Sequence, residues 1–292
     1  KVKKNPKKGA REVSSSYHGY KRNIMQIVSV RSKHLVLLTS SLFLQTAAFS
    51  SRFPYSSSTP LRMGWADTWD DILQGGSQRW KITCEESHQK VISHLDSFLE
   101  DKKNNPNQVS TLSVFCPLAG DDPIVHLLWK MGYSVTSIDL VPQAVAQMRN
   151  HFKEGSWMSE EQDDGTIIWK HDSGRATLYV GDALVSRPEL VNKFDAVYDK
   201  DSFGALQKDM RAGFCKRLSE YTKKGGTIYI EVKLKENHHE VRHIGPPFSL
   251  KKEDLMAEEN FGSAFEHVKE LGSVYDIPIP SAMQTGHVLR KK

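Results

Sequence analysis

The chain has 292 residues, 38% of them hydrophobic, and a formal net charge of +5, which allows one large domain or two small ones. The charge is unevenly held. Residues 1–62 contain 12 Lys and Arg against one acid, Glu12, whereas residues 63–292 contain 28 basic and 34 acidic residues, so the mildly acidic part argues against a nucleic-acid partner, which would need a basic footprint. Three cysteines, Cys84, Cys116 and Cys215, with no Cys-x-x-Cys pair argue against a disulfide framework and against zinc.

Residues 1–24 are basic and Ser-rich with no apolar period. From Met25 the pattern becomes that of a signal peptide: Arg31 and Lys33, an apolar run over Leu35–Leu44, then small residues at Thr46-Ala-Ala48. The run is short for a membrane span, so no stable span is expected in the mature protein. Phe49–Arg62 has basic and hydroxyl residues and no acid, as in a transit peptide. The pattern predicts a start at Met25, with residues 1–24 upstream of it, and a bipartite plastid leader. Ordinary secretion is the alternative, as is a cytoplasmic protein if the leader is not part of it. Residues 1–62 are expected to be a disordered leader and residues 63–292 the folded domain.

Within that domain Trp65–Ile72 predicts a short helix with Asp67 as N-cap. Cys84–Leu99 predicts an amphipathic helix, because Val91, Ile92, Leu95, Phe98 and Leu99 fall at helical spacing. Thr111–Phe115 reads as a strand, Pro123–Met131 as a helix ended by Gly132, and Ser134–Ile138 as a second strand closed by Asp139. Pro142–Phe152 is a helix with Pro in its first turn. Lys153–Gly174, polar and acidic, reads as a surface insertion. Strands follow at Ala176–Val180, Phe194–Tyr198 and Thr227–Val232, with a helix over Met210–Tyr221. Two β-rich pieces, His267–Val274 and His287–Leu289, close the chain.

This alternation predicts an α/β domain with a mostly parallel sheet and helices on both faces. A ligand then sits beyond the carboxyl ends of the strands, where the strand order switches. The loop after the first strand, Cys116-Pro-Leu-Ala-Gly120, carries one glycine that permits close backbone approach, and lacks the G-x-G-x-x-G of dinucleotide sites. Asp121 and Asp122 follow at a helix N-terminus, where they repel phosphate. A sulfonium cofactor without phosphates fits better. Asp139, 19 residues after Gly120, is placed to accept from ribose hydroxyls. Asp182, in Gly181-Asp-Ala183, is placed to accept from an adenine amino group. Tyr198-Asp-Lys-Asp-Ser-Phe203 ends the fourth strand, and its loop is expected over the reactive end of the cofactor, with Asp199 among the contacts. Asp139 and Asp182 also suit plain turn or cap roles.

Several motifs in order carry a resemblance. They are Trp69 and Trp80, Ser87-His-Gln89, His94-Leu-Asp-Ser-Phe98, Val114-Phe-Cys-Pro-Leu-Ala-Gly120, Gly132-Tyr-Ser-Val135, Phe194-Asp-Ala-Val-Tyr-Asp-Lys200 and Gly245-Pro-Pro-Phe248. Over residues 65–290 the chain resembles the thiopurine S-methyltransferase family and its thiol- and halide-methylating relatives. The resemblance implies a Rossmann-like class I methyltransferase fold, with a mostly parallel seven-stranded sheet and an antiparallel C-terminal strand. It implies S-adenosyl-L-methionine as cofactor, held at Trp69, Leu118, Asp139, Asp182, Ala183 and Lys200. It also implies an aromatic residue, Trp80, near a small-molecule methyl acceptor, and favours a monomer. Three positions depart from the family pattern: Asp121 stands where Lys is usual, Lys200 where Arg is frequent, and Leu73 where a second Trp is expected.

The expected reaction is methyl transfer to a thiol, a halide or bisulfide. Nitrogen, oxygen or arsenic are alternative acceptors, and a non-catalytic nucleoside-binding domain is an alternative of another class. Lys200 is the candidate cation for an ionised acceptor or for the cofactor carboxylate, and Asp201 a candidate base. His238, His239 and His243 could lie on a lid as bases or be solvated loop residues. Trp80 and Phe248 are expected to wall the acceptor. Cys116 and Cys215 read as small buried residues.

Overall fold

A computed structural model describes residues 69–76, 85–103, 112–235, 245–277 and 282–292. The expected leader, Asp67, Cys84, Trp80 and the three histidines before Gly245 lie outside the described residues. The elements in chain order are α1 (69–73), α2 (Glu85–Lys103), β1 (Ser113–Pro117), α3 (Ile124–Lys130), β2 (Ser134–Asp139), α4 (Pro142–His151), β3 (Trp157–Glu161), β4 (Ile167–His171) and β5 (Ala176–Val180). Then come β6 (Phe194–Lys200), α5 (Ser202–Ala205), α6 (Lys208–Tyr221), β7 (Thr222–Leu234), α7 (Lys252–Leu255), β8 (Phe265–Tyr275) and β9 (Met283–Lys291).

All nine strands form one sheet in the order β3-β4-β5-β2-β1-β6-β7-β9-β8. The run from β5 to β7 is parallel. β9 is antiparallel to both β7 and β8. Central strands buried on both faces are nearly continuous in apolar residues, and alternation divides them between two cores. Val114, Cys116, Ala196 and Tyr198 face the core shared with α2, α3 and α4, while Phe115, Phe194 and Val197 face the one shared with α6. β1 lies between β2 and β6, so the strand order switches at its carboxyl end.

The seven expected strands are all present, most of them longer than their apolar segments. The correction concerns the insertion. Residues 157–171 fold back as the hairpin β3–β4, which pairs antiparallel to β5 and brings the sheet to nine strands. Its base is an aromatic cluster: Phe152 contacts Trp129 and Trp157 at centroid distances of 5.3 and 5.1 Å, and the buried His171 lies 4.9 Å from Trp157. Two of the segment's acids, Glu160 and Glu161, stand exposed on the edge strand β3, where charge blunts edge-to-edge pairing. Among the described residues no helix is long and apolar enough to cross a membrane.

Candidate active site

The carboxyl ends of β1, β2, β5 and β6 open into a cleft at the switch point. Leu118, Gly120, Asp121 and Asp122 line it after β1, Asp139 and Val141 after β2, Asp182 and Ala183 after β5, and Lys200 and Asp201 after β6. Trp69 closes one side, buried against Val141 and Ala144. Of the expected cofactor residues, then, Trp69, Leu118, Gly120, Asp139, Asp182, Ala183 and Lys200 converge on one cleft.

The turn after β1 is held by backbone geometry. Leu118 and Gly120 both have positive φ, 45° and 58°, and the Leu118 amide donates to the Ile138 carbonyl at 2.7 Å. A positive φ suits Gly120 and is unusual for Leu118. Asp139 ties this turn to the next loop: its Oδ2 accepts from the Gly120 amide and its Oδ1 from the Val141 amide, both at 2.9 Å. Burial pushes its pKa up to about 6 despite these hydrogen bonds. Each oxygen keeps a lone pair for a ligand donor.

Asp122 accepts from the Ile124 amide at 2.9 Å through Oδ1, and its Oδ2 faces Lys200 Nζ at 3.6 Å. Asp182 accepts from the Leu184 amide at 2.9 Å. Tyr198 lines the cleft beside Lys200 and stacks on Tyr229 with centroids 5.4 Å apart. Its hydroxyl is buried and has no hydrogen-bond partner among the described residues.

Three expectations are corrected. Asp199 does not line the cleft. Strand alternation turns it to the opposite face, where it is fully buried and its Oδ1 accepts from the Ser202 amide at 2.9 Å. Burial pushes its pKa up to about 7. Asp201 lines the cleft but is committed elsewhere: it accepts from Lys233 Nζ at 2.6 Å and from Gln284 Nε2 at 2.9 Å. These two contacts commit the carboxylate to β7 and β9 at the floor of the cleft. Phe248, expected to wall the acceptor, is not part of the cleft lining. Its amide donates to the Gly204 carbonyl at 2.8 Å, and its ring lies 5.4 Å from the Arg211 guanidinium.

Several other cleft residues had no role assigned from the sequence: His88 from α2, within the Ser87-His-Gln89 motif, and Ala205, Leu206 and Met210 from the α5–α6 segment. The rule that ligands sit over strand ends pointed to the loop after β6, but nothing in its composition marks Leu206 and Met210 as wall rather than core. Beneath the cleft lies a buried polar layer. Tyr229 donates to Glu231 at 2.8 Å, and Gln284 Nε2 also reaches Glu231, at 3.3 Å. Burial pushes the Glu231 carboxyl up to about 7. Cys116 and Cys215 are free and buried, and desolvation raises both thiols, as expected for packing residues. No group of three metal-ligating side chains exists among the described residues.

The strand order, the antiparallel β9 and the switch-point cleft with an acidic residue ending β2 define a class I methyltransferase. A profile of the thiopurine S-methyltransferase family matches residues 66–282. The chain belongs to that family of S-adenosylmethionine-dependent methyltransferases. It is 26% identical over 178 residues to a thiopurine S-methyltransferase of Acinetobacter baylyi, covering 61% of this chain and 79% of the relative. It is 27% identical over 206 residues to that of Panthera leo, covering 68% and 74%. Among solved structures, the magnesium protoporphyrin IX methyltransferase of Synechocystis with bound SAH superposes with a TM-score of 0.54 at 12% identity, covering 80% of this chain and 98% of that one. That likeness concerns the fold.

Proposed function

We propose that this enzyme methylates the sulfur of a small, uncharged thiol. The observation that carries the reading is the make-up of the cleft beside Lys200. Ala205, Leu206 and Met210 offer an apolar wall, while Asp121, Asp122, Asp139, Asp182 and Asp201 all line the same cleft. So many carboxylates disfavour a free anion such as halide or bisulfide. A neutral thiol enters against the apolar wall, and the Lys200 ammonium favours its thiolate form. The family's relatives, called thiopurine S-methyltransferases, support sulfur as the acceptor.

The cleft residues suit S-adenosylmethionine. Asp139 is assigned to the ribose hydroxyls, using the lone pairs left by Gly120 and Val141. Asp182 and Ala183 are assigned to the adenine end, Trp69 to the side wall, and Gly120 to close backbone approach. The bound cofactor supplies an electrophilic methyl group for in-line displacement. The chain's part is to align the acceptor against that methyl and exclude water, which supplies most of the acceleration in reactions of this kind. No covalent enzyme intermediate is needed.

The test offers the full chain S-adenosylmethionine with a small neutral thiol, with iodide and with bisulfide in turn, and analyses the headspace and solution for methylated product. A methyl thioether as the main product is expected. Methyl halide formation exceeding thioether formation would overturn the reading.

A further inference from the structure

Every titratable side chain that lines the cleft, save one, has a partner or stays protonated. Asp122 accepts from the Ile124 amide and faces Lys200, Asp139 accepts from Gly120 and Val141, Asp182 from Leu184, and Asp201 from Lys233 and Gln284. The buried Asp121 also has a partner. Burial and the nearby Asp122 charge push the Tyr198 phenol far above its ordinary pKa, so it keeps its proton. The exception is His88, which lines the cleft half-buried, with no hydrogen bond or ion pair among the described residues.

Its place is set by α2. Near the other end of the helix the Phe98 carbonyl accepts from Thr227 Oγ1 at 2.9 Å, and the Phe98 ring lies 5.6 Å from that of Tyr229. Val91 and Leu95, on the same helical face as His88, are buried in the core that holds Tyr198. From Phe98 back to His88 the helix rises about 15 Å. From Thr227 to Glu231, the register partner of Lys200, β7 rises about 13 Å. The first turn of α2 therefore stands level with Lys200, on the side of the sheet that Tyr198 and Lys200 face by strand alternation.

We propose that His88 is the catalytic base that takes the proton of the acceptor thiol. The inference rests on the proposed reading of the acceptor as a small neutral thiol. Lys200 favours the thiolate, but the proton still needs a destination. A neutral imidazole offers one ring nitrogen with a free lone pair, and imidazoles gain and lose a proton in the range where most enzymes work. The S–H proton passes to that nitrogen, and the sulfur's electron pair forms the new bond to the transferred methyl. The methyl's old bond to the sulfonium breaks, with its electrons left on that sulfur. His88 is only half-buried, so the imidazolium returns its proton to water before the next turnover.

The test compares two acceptors on the full chain at pH 8: 2-mercaptoethanol, which is mostly protonated there, and thiophenol, a stronger acid that is mostly ionised and needs no base. His88→Gln keeps a polar side chain of similar size without a basic nitrogen. It should lower kcat/KM for 2-mercaptoethanol about a hundredfold, and for thiophenol less than about threefold. Calorimetry should find its affinity for S-adenosylhomocysteine unchanged. A loss as large on thiophenol as on 2-mercaptoethanol, or no loss on either, would overturn the proposal while leaving the sulfur acceptor intact. Loss of S-adenosylhomocysteine binding by the variant would overturn it as well, because His88 would then belong to the cofactor. A wild type that methylates neither thiol overturns the sulfur-acceptor reading together with it.

Discussion

The carboxylate of Asp139 accepts two backbone hydrogen bonds, yet burial pushes its pKa up to about 6. Neutralising it as Asp139→Asn keeps the size but removes the charge from the bonds to ribose, so S-adenosylhomocysteine affinity should fall about tenfold or more in calorimetry. Unchanged affinity would refute the ribose assignment. Asp201 makes a contrasting case. It and Lys233 are both about nine-tenths buried and in contact at 2.6 Å, and removing one partner of such a pair costs about 3–5 kcal/mol. Asp201→Ala should therefore lower the urea midpoint strongly. A variant of normal stability that had lost turnover would restore Asp201 as a base. Asp199 and Glu231 set a pH dependence. Both carboxyls are raised to about 7 by burial, from ordinary values of 3.8 and 4.5. The folded state then holds protons that the unfolded chain has released, so stability falls as pH rises through 7. Between pH 6.5 and 8 the loss should be about 1–2 kcal/mol, and Glu231→Gln should reduce it. Denaturation curves at the two pH values give the answer.

At the scale of elements, apolar period and turn residues made most of the sheet legible. β1, β2, β5, β6 and β7 are buried runs bounded by polar turns, and their alternation with helices implied a parallel sheet before any contact was known. Gly132 at φ 100° ends α3 as its position in the sequence suggested, and Pro142 opens α4. The hairpin β3–β4 was not legible as structure, because its partners are distant. Trp157 and His171 are stabilised by Phe152 and Trp129, whereas composition records only the exposed acids. Phe152→Ala should thus cost about 3–5 kcal/mol, read as a lower denaturation midpoint. Because Phe152 is absent from the cleft lining, affinity for S-adenosylhomocysteine in the folded protein should hold.

For the molecule as a whole, the site lies where the topology requires, at the strand-order switch. That is why Gly120, Asp139, Asp182 and the 199–202 loop could be gathered by strand ends, whereas Trp69, Leu118 and Ala183 came with the family resemblance. What strand ends could not tell was the direction and commitment of each side chain. Asp199, Lys200 and Asp201 are consecutive, yet one turns away, one faces Asp122 and one is held by Lys233 and Gln284. Lys233 and Gln284 come from β7 and β9, which pair directly, so the commitment of Asp201 is a tertiary fact. This coupling of cleft and core gives a global readout of binding. A ligand that binds only the folded state stabilises it by about 2.7 kcal/mol at one hundred times its dissociation constant, which for a domain of this size is a melting shift of several degrees. S-adenosylhomocysteine should produce such a shift at pH 7.5. On the proposed assignment the ribose hydroxyls donate to ionised Asp139, so binding should draw its pKa below the free-protein value of about 6, and affinity should fall as pH drops through that value. The melting shift should accordingly shrink between pH 7 and pH 5 at fixed ligand concentration, and Asp139→Asn should show a small shift with little of this pH dependence. A shift of equal size at both pH values in the wild type would separate Asp139 from the ligand.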